Sequence, residues 1–92
     1  MKMQVLFHPG PMVRQGHFTF VLSAPAERLE ITVFGVSGRR IARLSGVADV
    51  GYNQVAWEPA PVPASGTYLY HILAIGTEGG QARATGVLQI AP

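Results

Sequence analysis

Residues 28–44 read RLEITVFGVSGRRIARL. Leu29, Ile31 and Val33 alternate with the polar Glu30 and Thr32. That two-residue period puts apolar side chains on one face of a β-strand and does not fit the 3.6-residue period of a helix. Ser37-Gly38 interrupts the run. Serine bonds to its own backbone and glycine accepts a positive φ, which is the chemistry of a tight turn. The chain then returns through Arg39 to Leu44, with Ile41 expected to point inward. The segment is a β-hairpin, and a hairpin apolar on one side must pack on a second layer.

The same signals extend in both directions. Gln4 to His8 reads as a short strand ended by Pro9-Gly10-Pro11. His17 to Ser23 sets Phe18, Phe20 and Leu22 on one face and Thr19 on the other. Tyr52 to Glu58 pairs Val55 with Trp57 on one face. Pro59 to Gly66 contains three prolines, which lack ladder donors, so it is a stiff surface connection. Thr67 to Ile75 is the longest β-branched and aromatic run, and Thr77-Glu78-Gly79-Gly80 turns it back into a last strand, Gln81 to Ile90. Turn signals at about 8–12-residue spacing predict an all-β protein. The expectation is an Ig-like (fibronectin III-like) antiparallel β-sandwich of about seven strands, one domain over residues 1–92.

Composition supports a packed core. Of 92 residues, 48% are apolar and only 13% charged, which argues against disorder. The absence of cysteine removes disulfides, thiolate metal sites and a cysteine nucleophile from consideration. A net charge of +2 on so few charged groups speaks to solubility more than to a polyanionic partner. Pro9 and Pro11 interrupt the N-terminal apolar run before it could serve as a signal peptide. No run reaches the roughly 18 apolar residues of a membrane span.

Chemistry-bearing residues are sparse. Glu27 and Glu30 are an odd number apart, so a regular strand points them to opposite sides. Asp49, Glu58 and Glu78 fall on separate loops and strand ends, and Ser37 and Ser65 adjoin turn glycines. His8, His17 and His71 have no short pair spacing and no cysteine or carboxylate cluster to complete a metal site, so they are read as unrelated. Trp57, Tyr68 and Tyr70 could together stack against a sugar ring. The plainer reading packs Trp57 between the sheets and lets the tyrosine hydroxyls reach solvent. Arg39 and Arg43 are expected on one strand face, with Arg40 on the other. Without interleaved aromatics they are read as a solvated edge that discourages strand pairing, not as a nucleic-acid site.

Several motifs together resemble a known family. HPGPM (8–12), the run FTFVLSAPAERLEITVFGVSGRRIARL (18–44), VAWE (55–58), PASGTYLYHI (63–72) and ARATGVLQI (82–90) are similar, in order and spacing, to the C-terminal sorting domains of type IX (Por) secretion substrates. The Ig-like domain of the flagellar hook-capping protein shares the hairpin, tryptophan and Gly-Thr-Tyr elements. Pro9, Pro11, Gly38, Trp57, Gly66 and Tyr68 carry this structural motif. The resemblance implies a non-catalytic module excised from the C-terminus of a larger exported bacterial protein, extracellular or on the cell surface. Its partners would be secretion machinery or domains of the parent protein. The chain ends LQIAP where that family has a short basic tail. Two alternatives therefore stay open: an accessory carbohydrate-binding module with contacts at Tyr68, Tyr70, Arg39 or Arg43, and a structural spacer. No enzyme activity, cofactor, metal, nucleic acid or membrane insertion is expected, and the isolated domain is expected to be monomeric.

Overall fold

The hairpin of residues 28–44 forms half of the larger of two sheets. The computed structural model describes all of residues 1–92. It has seven strands and no helix: β1 (Met3–His8), β2 (Gly16–Leu22), β3 (Ala26–Gly35), β4 (Arg40–Ala48), β5 (Gly51–Trp57), β6 (Gly66–Gly76) and β7 (Gln81–Ile90). One sheet has the order β1-β2-β5 and the other β4-β3-β6-β7. Every strand pairing within them is antiparallel. The fold is a β-sandwich of three strands on four, an arrangement compatible with Ig-like domains.

Alternation dictates what lies between the sheets. Phe18, Phe20 and Leu22 from β2 meet Ile31 and Val33 from β3 and Ile72 from β6, each 1% exposed or less. A fully buried side chain of this kind contributes about 1.5–3 kcal/mol, so the shared face holds the two layers together. At one end of the core the rings of Phe7, Phe18, Trp57 and Tyr70 cluster. Phe7 and Phe18 have centroids 4.7 Å apart, and Phe18 meets Tyr70 edge-on at 5.2 Å. Two of these rings rest on glycines, Phe7 on Gly16 and Tyr70 on Gly86, where a Cβ would collide with them.

The β3–β4 and β6–β7 hairpins use one turn design. Gly35 N donates to Arg39 O at 2.8 Å and Gly38 N to Gly35 O at 2.9 Å, with Gly38 at φ 91°. Gly76 N and Gly79 N repeat those bonds to Gly80 O and Gly76 O, with Gly79 at φ 84°. A positive φ at this position is what closes a three-residue hairpin loop, and glycine adopts it without steric cost.

The returning strand differs from expectation. Val33 pairs with Ala42 but Phe34 with Arg40, so Ile41 is an extra residue in a β-bulge. The bulge reverses inside and outside for residues N-terminal to it. Ala42 and Leu44 pack on the core, whereas Ile41 is 37% exposed and does not anchor the hairpin.

Met12 carries no strand signal yet is completely buried. The chain leaves β1 at Pro9-Gly10-Pro11 and crosses to the other sheet, where Met12 bridges Ile90 in parallel. Met12 N donates to Gln89 O at 3.0 Å, and Ala91 N to Met12 O at 2.8 Å. The molecule measures 41 × 23 × 19 Å. Met1 lies against Gly76 and Ile90 pairs with Gly66, at opposite ends of β6, so the two termini sit at opposite poles of the long axis.

Candidate functional site

The aromatic residues singled out from sequence are built into the core. Trp57, Tyr70 and Tyr68 are 3%, 7% and 9% exposed. Tyr68 and Tyr70 do share a strand face, but it is the inner one, so neither ring presents a surface on which a sugar could stack. The Tyr68 hydroxyl does not point to solvent as expected; it donates to Ala64 O at 2.5 Å and ties the proline-rich loop to β6. The Tyr70 hydroxyl has no partner in the chain and reaches solvent, and burial of its ring pushes the phenol pKa above its ordinary value of 10.0. Gly66 opens β6, and Pro9 and Pro11 lie exposed in the crossing between sheets.

The arginines are regrouped by the bulge. Arg40 stands opposite Phe34 and Arg43 opposite Thr32, so Arg40 and Arg43 share the outer face of the four-stranded sheet. The expected partnership of Arg39 with Arg43 is not formed. Arg39 instead borders a groove of about 510 Å³ at the end of the sandwich, lined by Ile41, Trp57, Tyr68 and the loop from Pro59 to Ala64.

The broadest outward surface is the four-stranded sheet. Its register aligns Phe34, Leu69 and Val87 across three strands, then Thr32, His71 and Thr85, then Glu30, Leu73 and Arg83. Leu69 is 43% and Val87 56% exposed. Phe34, Leu69, His71, Thr85 and Val87 line a shallow depression with Tyr70 and Gly86. Arg28, Arg40 and Arg43 stand on β3 and β4 to one side, and Arg83 on β7 to the other. The one carboxylate in this row, Glu30, is occupied. Its Oε1 accepts from Arg28 at 2.7 Å and Arg43 at 2.6 Å. Those bonds, from Arg28 first and Arg43 second, hold the Glu30 carboxyl below its ordinary 4.5. The face thus combines an apolar centre with a cationic border. By contrast, strands β1, β2 and β5 carry no charged residue at all.

This surface leaves no local mark in the sequence because it is a product of pairing between β3, β6 and β7. Nor are the histidines all unrelated: His8 and His17 stack with ring centroids 5.5 Å apart. No group of three or more histidine and acidic side chains comes together. Comparison of the chain with protein-family models and with curated proteins finds no match.

Proposed function

We propose that this chain is a non-catalytic Ig-like module of an exported bacterial protein, acting in type IX sorting or cell-surface attachment through a protein contact. The observation that carries the proposal is the division between the two sides of the four-stranded sheet. Tyr68 and Tyr70 turn inward, while Phe34, Leu69 and Val87 face outward in a row that ends at Arg40, with Arg83 two rows away on β7. An apolar centre with a polar border enriched in arginine is the anatomy of a protein–protein interface. The order of the Pro-x-Pro, Ser-Gly-Arg, tryptophan and Ser-Gly-Thr-Tyr elements supports the sorting role. The test is a reporter with an export signal at its N-terminus and this chain at its C-terminus, expressed in a type IX-competent host. Delivery to the surface or medium is expected, with a lower yield for the folded Arg43→Glu/Arg83→Glu variant. Retention of the unaltered fusion in the periplasm would refute the sorting role.

A spacer role is the second reading, favoured by one observation. Termini at opposite poles of a 41 Å body let the module hold its neighbours apart in series. In that case the fusion is retained, and shortening the module's parent by this domain changes reach without changing delivery.

A further inference from the structure

His8 and His17 are nine positions apart in sequence, but the β1–β2 register sets them directly opposite each other. Both point to the outer face of the three-stranded sheet, since Phe7 and Phe18 beside them point inward. Their rings are nearly parallel, 21° apart, with centroids separated by 5.5 Å. Each residue is half-buried, and no unpartnered side-chain nitrogen is sealed from solvent.

We propose that this pair is an open two-histidine site for a borderline divalent cation, Zn²⁺ or Cu²⁺. Spacing is the first argument. An imidazole nitrogen binds zinc at about 2.0–2.1 Å, and the ring centre lies roughly 1.1 Å beyond it, so two rings on one tetrahedral ion have centroids about 5.2 Å apart. The observed separation is within a few tenths of an ångström of that value. Rotation about the broad χ2 torsion of each side chain is enough to aim one nitrogen of each at a common point. The second argument is preorganisation. Antiparallel pairing from Met3–Leu22 to His8–His17 fixes the two backbones, so binding does not have to close a loop. The third is electrostatic: β1, β2 and β5 carry no lysine or arginine to repel a cation, and the nearest along the chain is Arg14, exposed in the loop before β2. On the far side of His17 the paired residue is Ala56, which supplies no ligand and little bulk. The remaining coordination positions are therefore left to water or to a donor from a bound molecule. Imidazole suits both ions, with copper the tighter by the general order of divalent affinities.

The test uses the whole chain in a non-chelating buffer, titrated with zinc chloride and separately with copper chloride. Calorimetry is expected to give one ion per chain. In zinc, imidazole NMR signals of His8 and His17 should move together while those of His71, on the other sheet, stay fixed. His8→Ala and His17→Ala should each lower zinc affinity about tenfold or more, and His71→Ala should not. The proposal is overturned if His71 follows the same binding curve, if only one of the pair responds, or if either alanine variant of the pair binds zinc as tightly as the unaltered chain. The NMR readout on the unaltered protein keeps the test valid should a variant fold poorly.

Discussion

Gly86→Ala isolates the seat of Tyr70. The two residues face each other across β6 and β7, and a Cβ on Gly86 would fall inside the contact distance of the phenol ring. The backbone at Gly86 is not in the left-handed region, so alanine meets no conformational penalty there. The destabilising part of the effect is therefore steric. Tyr70 has little room to retreat, with Phe18 at 5.2 Å and Phe7 at 6.5 Å between ring centroids. Overpacking of this kind costs about 1–3 kcal/mol. Loss of glycine's freedom in the unfolded chain offsets about 0.4–1 kcal/mol of that. The depth of the overlap puts the cost in the upper part of that range, so the net expectation is a destabilisation of about 1–2 kcal/mol, or a fall in Tm of roughly 5–15 °C for a domain of this length. Urea and thermal melts monitored by circular dichroism measure it. A cycle with Tyr70→Leu assigns the cause, because leucine vacates the space over residue 86. The double variant should then be more stable than the sum of the singles by about 1 kcal/mol. A Gly86→Ala protein within about 0.5 kcal/mol of the unaltered chain, or additive singles, would refute the reasoning.

Three further outcomes follow from the same geometry. Tyr68→Phe removes the bond to Ala64 O and should cost about 0.5–1.5 kcal/mol in urea melts, with faster proteolysis between Pro59 and Ser65. Leu44→Ala should cost about 2 kcal/mol or more and Ile41→Ala less than about 1 kcal/mol, because Leu44 packs on the core and Ile41 is the bulge residue. The reverse order would mean the bulge is misplaced. The folded state holds the Tyr70 proton more tightly than the unfolded state does, so this stabilisation is complete below pH 10 and lost as pH rises through the raised folded value. Tm should therefore drop above about pH 10, and the drop should be smaller in Tyr70→Phe.

The strands were legible because each announces itself locally. Phe18, Phe20, Leu22, Leu29, Ile31 and Val33 alternate as an inner face must, and all six are buried. What was not legible depends on pairing. A bulge leaves no mark in RRIARL, yet one inserted residue, Ile41, exchanges the faces of the arginines before it. Met12 follows a proline turn and has no periodic neighbours, and its burial is decided by Ile90, at the other end of the chain. Core packing of Trp57 was the plainer reading and holds, but a surface platform with Tyr68 and Tyr70 stayed open because alternation says which residues share a face and not which face is inner. The histidine pair was hidden for a related reason: spacing along the chain does not measure distance across a hairpin.

The Met12–Ile90 bridge bears on what happens when the module is pulled. Tension between the two poles draws β1 toward one end and β7 toward the other. Two parallel segments joined under that loading slide lengthwise, so both bonds, Met12 N to Gln89 O and Ala91 N to Met12 O, carry force together. The β1–β2 ladder is loaded lengthwise as well, along its full register from Met3 to His8. Neither can be opened one rung at a time from an end. A two-bond clip that contributes modestly to equilibrium stability is thus placed where it must fail before the chain can be drawn out, giving the module directional mechanical strength along its long axis.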